Sequence, residues 1–206
     1  MKISLNRTEF VAKKLGNLNG DKILDLGCRN MILKKYLNGN FIYKGLDYIS
    51  EKSTDIDFIN HNLEQGLPNN LETVDSIVAL DVLEHIENIH YVYSELFSKV
   101  TKLVIIALPN MGYYKFRFNF LFTGVLSGKY IFSDNKTLDR HRWIPNYHSI
   151  NKFVLKNTPS DFNIESYDYI AERKRNFFFY HLEKFLSKFF PSLFVYEKIF
   201  FLRKKN

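Results

Sequence analysis

One stretch decides the fold: residues 22–30 are Lys22-Ile23-Leu24-Asp25-Leu26-Gly27-Cys28-Arg29-Asn30. An apolar run that ends in a turn is typical of a buried strand, so we predict a first strand at 22–26 and a helix at 31–37 after it. Glycine lets the backbone approach a ligand closely, and open parallel sheets bind ligands beyond the carboxyl ends of their strands. The turn at Gly27 is therefore the first candidate for a nucleotide-type pocket.

Similar apolar runs alternate with helix-period segments along the rest of the chain. We predict further strands at 41–46, 56–60, 74–80, 103–108, 162–169 and 194–203, and helices at 88–100, 148–156 and 177–189. This alternation favours a doubly wound α/β fold with a mostly parallel sheet. A chain of 206 residues suits one substantial core, so we expect a single domain over 1–206. Residues 112–147 are rich in aromatic and basic side chains without a clean period, and we predict a lid insertion there.

Asp47 ends the second predicted strand, where a carboxylate can accept hydrogen bonds from both hydroxyls of a ribose. Dinucleotide-binding proteins share that spacing, but their pyrophosphate needs several glycines in the first turn. Here Arg29 and Met31 stand where later glycines are expected. S-adenosylmethionine carries no phosphate, so one glycine with two carboxylates suits it better. Two plainer alternatives remain open: Asp25 caps the following helix, and Asp47 is an ordinary turn residue.

Three successive motifs strongly resemble those of class I S-adenosylmethionine-dependent methyltransferases. They are Ile23-Leu24-Asp25-Leu26-Gly27-Cys28, Tyr43-Lys44-Gly45-Leu46-Asp47 and Asp75-Ser76-Ile77-Val78-Ala79-Leu80-Asp81-Val82-Leu83-Glu84-His85-Ile86. Residues 194–205 resemble the terminal antiparallel strand of that family. The resemblance implies a Rossmann-like methyltransferase fold with a seven-stranded, mostly parallel sheet and an antiparallel last strand.

The same resemblance implies S-adenosylmethionine as the cofactor and a set of residues that bind it. The set is Asp25, Gly27, Cys28, Asp47, Tyr48, Asn62, Leu63 and Leu80. Asp25 and Gly27 would border the methionine moiety, Asp47 the ribose and Tyr48 the face of the adenine. Asn62 stands where the family commonly has an aspartate, and its carbonyl oxygen can still accept from an exocyclic amine.

Asp81, Glu84 and His85 follow the fourth predicted strand, where acceptor and cofactor should meet. His85 is the first candidate for a general base, because the ordinary pKa of histidine is near neutrality; the alternative is that it caps a helix or orients a loop. In some family members, notably quinone-precursor O-methyltransferases, a similarly spaced acid, acid, histidine trio binds a divalent cation. These three residues match that spacing with Asp in the first position, so a metal stays an open alternative.

Residues 139–143 are Asp139-Arg140-His141-Arg142-Trp143, an unusual cluster inside the predicted lid. Arg140 and Arg142 could grip a phosphate or carboxylate in bidentate fashion, and Trp143 offers a surface on which a sugar can stack. We therefore predict acceptor recognition here, with His141 as a second candidate base. The alternative is an Arg–Asp network that only fixes the lid.

Charge and cysteine content bear on location and partners. The net charge of +7 comes from scattered lysines, and with neither an Asn-Pro-Pro-Tyr motif nor a basic stripe we expect no nucleic-acid partner. A single cysteine fits a reducing compartment, nothing at the start resembles a signal peptide, and the apolar stretches are shorter than the ~18 residues of a membrane span. We expect a cytoplasmic protein.

A basic, aromatic segment at 173–180 suits either peripheral contact with the inner face of the membrane or packing on the sheet.

Two subgroups share features with the chain. Residues 108–124 resemble methyltransferase-like proteins that assist homoserine acylation in methionine biosynthesis. Together with residues 27–29 and 139–143, they are also similar to small methyltransferases associated with bacterial surface-glycan assembly. We favour the second, with methyl transfer to an oxygen of a small-molecule or lipid-linked glycan acceptor; the alternative is a non-catalytic partner in methionine biosynthesis. The oligomeric state is left open.

Overall fold

The computed structural model describes residues 2–3, 6–48, 56–131, 140–170 and 177–205. Its strands are β1 (Lys2–Ile3), β2 (Asn17–Leu26), β3 (Asn38–Asp47), β4 (Phe58–Asn60), β5 (Val74–Leu80), β6 (Val100–Pro109), β7 (Phe162–Tyr169) and β8 (Glu197–Lys204). Its α-helices are α1 (Arg7–Leu15), α2 (Ile89–Ser98), α3 (Tyr114–Thr123), α4 (Tyr147–Asn157), α5 (Phe177–Leu186) and α6 (Pro191–Phe194).

All the strands belong to one sheet in the order β1-β7-β8-β6-β5-β2-β3-β4. β8 runs antiparallel to β6 and β7, and the other neighbouring pairs are parallel. The predicted α/β fold with seven mostly parallel strands and an antiparallel last strand is confirmed, and the two-residue β1 adds an edge strand beside β7. The strand order reverses at β2, which lies between β3 and β5. The carboxyl ends of β2 and β5 are therefore where a ligand is expected.

The central strands are buried on both faces, as their continuous apolar runs predict. Successive side chains point to opposite faces: Ile77 belongs to one core cluster and Val78 to the other. The first cluster packs against α2 and α4, and the second packs against α1. Helices on both faces thus hold the sheet edge that carries the ligand-binding loops.

Several local predictions differ from the structure. The helix expected at 31–37 is a single 3-10 turn at Leu33–Tyr36, because Met31 has a φ of +52° and Leu37 is already extended. Helix α1, which Asn6 begins by accepting from the Thr8 N–H, was not predicted. Helix α3, which buries none of its residues, was not predicted either. A helix without a buried face has no apolar period to detect.

The predicted insertion at 112–147 contains α3 and a 3-10 turn at Gly128–Tyr130. Residues 132–139 lie outside the described residues, and a lid function for this segment stays a prediction. Among the residues that the structure describes, no helix is both long and apolar enough to cross a membrane.

Arg7, the first residue of α1, ties that helix to the ligand-binding edge of the sheet. Its Nη1 lies 2.8 and 2.9 Å from the carboxylate oxygens of Glu197 and also donates to Asp81. Burial alone would lower the pKa of this guanidinium, but the charges of Glu197 and Asp81 outweigh it and raise that pKa. Because the Glu197 side chain is 1% exposed, Arg7 supplies the hydrogen bonds for a carboxyl group that water cannot reach.

Replacing Arg7 by methionine should therefore destabilise the fold by about 3 kcal/mol, the penalty for leaving one member of a buried pair behind. Urea unfolding monitored by circular dichroism measures this change. Lys13→Met is the matched control, because Lys13 pairs with Glu9 on the exposed surface of the same helix, where a pair of this spacing contributes about 0.5 kcal/mol. Equal losses of stability in the two variants would contradict the structural role of Arg7.

Candidate active site

Two adjoining cavities lie beyond the carboxyl ends of β2 and β5, one of about 460 Å³ and one of about 590 Å³. The first is lined by Asp25, Cys28, Leu80, Glu84 and His141, among others. The second is lined by Asp47, Tyr48, Asn62, Leu63, His85, Arg140 and Arg142, among others. Gly27, Arg29, Asn30 and Asp81 border both. The structure thus brings all eight predicted cofactor residues to one continuous edge, and their binding role stays a prediction.

The turn between the cavities follows a path that normally requires glycine. Gly27 has a φ of +65°, and an added Cβ would lie 2.8 Å from Cγ2 of Val82. Arg29 and Met31 have φ values of +47° and +52° although neither is glycine, a conformation that costs about 1 kcal/mol for each side-chain-bearing residue. Asp81 across the cavity has a φ of +55°. Backbone strain of this kind is concentrated at functional sites.

Asp47 holds this turn in place. Its Oδ2 accepts the backbone N–H of Arg29 at 2.7 Å, and its Oδ1 accepts that of Tyr48 at 2.7 Å. A carboxylate oxygen has two acceptor positions, so each oxygen can still accept from a ribose hydroxyl. Asp47 is therefore both a turn residue and a candidate ribose ligand. The side chain of Arg29 is exposed, and its backbone N–H is the group that Asp47 holds.

Asp25 is 5% exposed and accepts a hydrogen bond of 2.6 Å from the hydroxyl of Tyr43. Burial raises the pKa of this carboxyl to about 7, the Tyr43 hydrogen bond opposes the rise, and the charge of Asp47 adds to it. The alternative that Asp25 caps a helix is wrong, because the cap position of the next turn is Ile32, without a side-chain cap. Asp25 is instead a buried carboxyl group that lines the first cavity, with a pKa raised to about 7.

Asn62 lines the second cavity and begins the 3-10 turn at Leu63–Gln65. Its Oδ1 accepts the backbone N–H of Glu64 at 3.0 Å. This oxygen has a second acceptor position, so it can also meet the exocyclic amine of an adenine.

Glu84 joins the two predicted base candidates in one cluster. The Nε2 atoms of His85 and His141 each lie 3.9 Å from Oε1 of Glu84, and the two rings meet edge to face at 4.6 Å between centroids. Burial raises the pKa of Glu84, and the charge of Asp81 adds to the effect. The trio of Asp81, Glu84 and His85 considered for a metal is corrected, because Asp81 pairs with Arg7 and His141 takes its place.

Backbone hydrogen bonds fix residues 140–143 over this cluster. Arg142 and Trp143 both donate their N–H to the carbonyl of Glu84, at 2.9 and 3.3 Å, and the Trp143 ring donates from Nε1 to the carbonyl of Ile86 at 2.7 Å. His85 donates from Nδ1 to the carbonyl of Arg140 at 3.0 Å, so its predicted alternative role of orienting a loop is also present. Residue 139 lies outside the described residues.

Of the three predicted acceptor residues, the two arginines line a described cavity and the tryptophan does not. Arg140 and Arg142 line the second cavity, and Nε of Arg142 lies 3.9 Å from Glu87 and 4.0 Å from Glu64. Trp143 is 42% exposed and is outside the lining of both cavities as far as the structure describes them. Recognition of an acceptor by these three side chains stays a prediction.

Two residues that shape the first cavity were not predicted from the sequence. Arg7 borders it through the missed helix α1, and the cap signal at Asn6 could have revealed that helix. Tyr43 holds Asp25 through its hydroxyl. Tyr43 stood inside a quoted motif, but no local pattern indicates which carboxylate a strand tyrosine will contact.

Comparisons with known proteins agree with this geometry. The sequence model of the family described as methionine biosynthesis protein MetW matches residues 9–200. No curated protein matches the sequence significantly. Among solved structures, the small RNA methyltransferase HEN1 superposes with a TM-score of 0.67 at 14% identity, covering 100% of this chain and 26% of HEN1. This chain therefore spans about a quarter of the length of that protein.

Two further structures match over most of both chains. Magnesium protoporphyrin IX methyltransferase (ChlM) from Synechocystis PCC 6803, crystallised with bound SAH (the demethylated cofactor), has a TM-score of 0.56 at 18% identity and covers 96% of this chain and 81% of its own. A SAM-dependent methyltransferase from Archaeoglobus fulgidus has a TM-score of 0.54 at 15% identity, covering 97% and 95%. At these identities the likeness shows the fold.

The raised pKa of Asp25 predicts how stability depends on pH. An unfolded aspartate has a pKa of about 3.9, so between pH 4 and 7 the folded chain retains a proton that the unfolded chain has lost. The stability from this group is complete below pH 4 and is lost as the pH rises toward 7, by up to about 4 kcal/mol. Asp25→Asn cannot ionise, so its melting temperature should rise relative to wild type over this range.

Asp57→Asn is the control with the opposite sign. The Lys34 hydrogen bond lowers the pKa of Asp57, so the wild type gains stability from this group as the pH rises through the acid range. The variant cannot ionise there, so it should fall further below the wild type in stability as the pH rises. Thermal unfolding at a series of pH values measures both variants. A difference between Asp25→Asn and wild type that is independent of pH would show that Asp25 is not held protonated by burial.

Proposed function

This chain belongs to the MetW family of methionine biosynthesis proteins, a class I methyltransferase-like family, and from that premise we propose that it binds S-adenosylmethionine and transfers its methyl group to an oxygen of a small-molecule or glycan-type acceptor. The observation that carries the proposal is the pair of adjoining cavities lined by all eight predicted cofactor residues. Their volumes suit a ligand of this size.

The two cavities match the two halves of the cofactor. The methionine half would occupy the first cavity, where the Asp25 carboxylate can receive its ammonium group. The adenosine half would occupy the second, with Asp47 at the ribose and Asn62 at the adenine edge. The solved ChlM and BpumL methyltransferases of the same fold were crystallised with the demethylated cofactor, which supports this assignment.

Methyl transfer from a sulfonium is an in-line displacement that depends on alignment of the acceptor, the methyl carbon and the sulfur. An acceptor hydroxyl must also lose its proton. His85 and His141 are the candidates for that step, because one lies at each cavity. Nδ1 of His85 donates to the carbonyl of Arg140 and Nδ1 of His141 donates to the hydroxyl of Tyr130, so Nε2 is the basic nitrogen of each ring. A nearby glycan could be held by Arg140 and Arg142.

Family membership favours a second candidate function. The match to a methionine biosynthesis family supports a non-catalytic partner that keeps the fold and assists homoserine acylation. The two candidates differ in one respect that can be measured: only the first consumes the cofactor.

Cofactor binding is tested first, by calorimetry with S-adenosylmethionine and its demethylated product. Asp47→Asn should weaken binding at least about tenfold, because a charge-assisted hydrogen bond to the ribose is lost. Asp57→Asn is the matched control, since Asp57 pairs with Lys34 and should bind like wild type. Absence of binding to the wild-type protein would refute the proposal, and equal binding by Asp47→Asn would refute the ribose assignment.

Turnover is tested with methyl-labelled cofactor and a panel of free and lipid-linked glycans. We expect label in an acceptor together with the demethylated product. If the protein binds the cofactor, labels nothing and raises the rate of a purified homoserine acyltransferase, the second candidate is correct and the first is wrong.

We also propose that the protein contacts an anionic membrane through α3 and α5. Packing of α5 onto the sheet was the simpler expectation, but several apolar side chains on both helices and the turn after α5 are exposed: Phe118, Phe120, Leu121, Phe122, Phe178, Phe179, Phe185, Phe189 and Phe190. The charged side chains among them are Lys115, Arg117, Lys184 and Lys188, and the acidic Glu183 is buried and accepts from Tyr113. Exposed aromatic rings with cations suit a membrane interface of negative charge.

Sedimentation with phosphatidylserine vesicles tests this contact. Wild-type protein should sediment with them, less so at high salt, and should stay in solution with neutral phosphatidylcholine vesicles. Phe122→Asp should reduce the bound fraction several-fold, whereas Ile42→Asp, at an exposed position on β3, should not. Absence of sedimentation, or burial of the same surface in a dimer detected by light scattering, would overturn the proposal.

A further inference from the structure

Glu84 is a buried carboxylate with an unusual environment. It is 1% exposed, and neither of its oxygens has a hydrogen-bond partner among the residues that the structure describes. Leaving a carboxylate buried without compensation is strongly unfavourable, so such a group in a folded protein calls for a bound proton or a bound cation.

The hydrogen bonds of the two neighbouring histidines decide how their rings are protonated. Nδ1 of His85 lies 3.0 Å from the carbonyl oxygen of Arg140, which can only accept, so Nδ1 carries the hydrogen. The Tyr130 hydroxyl donates its hydrogen to the carbonyl of Trp143 at 2.5 Å. Its oxygen, 2.9 Å from Nδ1 of His141, must therefore accept from that nitrogen. Each neutral ring then has its lone pair on Nε2.

Three electron-pair donors consequently converge on one point. Both Nε2 atoms lie 3.9 Å from Oε1 of Glu84, and the ligand atoms of the three residues all lie within 4.8 Å of one another. Around a cation with bonds of about 2.1 Å, neighbouring ligand atoms are roughly 3 to 3.5 Å apart. Small movements of side chains would close that difference.

We propose that Glu84, His85 and His141 bind a divalent transition-metal cation. Two imidazoles with one carboxylate are a donor set typical of zinc and of related first-row cations. Arg140 and Tyr130 supply the acceptors behind the two rings, the arrangement that orients histidine ligands in metal sites. His141 reaches the site because Arg142 is hydrogen-bonded to the carbonyl of Glu84, so the cation would bind the predicted lid to the sheet.

The site deepens the proposed function and rests on it for its role in the reaction. Glu84 and His141 line the first cavity beside Asp25, and three protein ligands leave coordination positions for an acceptor. A bound cation lowers the pKa of a coordinated hydroxyl. In that case the two histidines would hold the cation, and the coordinated acceptor hydroxyl would release its proton to solvent without either ring acting as the base.

Metal binding can be measured without any turnover. Full-length protein freed of metal with a chelator is titrated with Mn²⁺, followed by electron paramagnetic resonance, and with Zn²⁺, followed by calorimetry. We expect one cation per chain. Glu84→Gln and His141→Gln should each weaken binding at least tenfold, and a given Zn²⁺ concentration should raise the melting temperature of these two variants less than that of the wild type.

His148→Gln is the matched control, because His148 is an exposed histidine on α4 outside the cluster and should bind like wild type. If Glu84→Gln does not fold, His141→Gln decides the question alone. Wild-type protein that binds neither cation, or a His141→Gln variant that binds as tightly as wild type, would overturn the proposal.

Methyl-transfer assays with and without a strong chelator, set beside the cation titrations, separate this inference from the proposed function. Cation binding without methyl transfer would leave the site standing and remove the function. Methyl transfer that continues in the presence of a strong chelator, by protein that binds neither Mn²⁺ nor Zn²⁺, would leave the function standing and remove the site.

Discussion

The contact of Arg7 with Glu197 and Asp81 is the interaction on which the ligand-binding edge depends. Carboxylates gather there because β2, β5 and the start of β8 all meet at this edge, and Glu84 follows β5 by one short turn. Burial raises the pKa of Glu197, as it does that of Glu84. Arg7 pairs with both Glu197 and Asp81, so the fold can bury the Glu197 carboxyl group at this edge. Glu84 is outside this contact, so a bound proton or a bound cation must compensate its burial.

The same crowding explains why the backbone is strained at this edge. Asp81 reaches Arg7 from a position with a φ of +55°, and Arg29 presents its N–H to Asp47 from a φ of +47°. Glycine would adopt both conformations without strain, but it could not supply the carboxylate of Asp81. The turn therefore keeps the path of a nucleotide-binding loop while it lacks the repeated glycines that a pyrophosphate needs. A turn with this path and without repeated glycines suits a cofactor that has no phosphate.

Much of this architecture could be predicted from the sequence, for identifiable reasons. The bounds of β5 and β7 agree with the prediction, because turn residues delimit both strands. The eight predicted cofactor residues could be named because the motifs that contain them resemble those of a known family. Helix α3 was missed because it has no buried face. The meeting of His141 with Glu84 and His85 was also missed. It depends on backbone pairing between two segments distant in the chain, and neither segment carries a local signal for the other.

That pairing bears on the choice between an enzyme and a non-catalytic relative. A chain that had lost catalysis would need Asp25 and Asp47 only if it still bound the cofactor, and it would have no use for a desolvated carboxylate facing two imidazoles. Glu84 contributes nothing to stability that an apolar side chain of similar size would not supply better, because a buried charge without full compensation destabilises the fold. A polar cluster that the fold does not need, placed between two cavities at the switch point of the sheet, favours chemistry at this site. Membership of the MetW family is compatible with the methyl transfer proposed here, because nothing in the geometry of this cluster is specific to a non-catalytic partner.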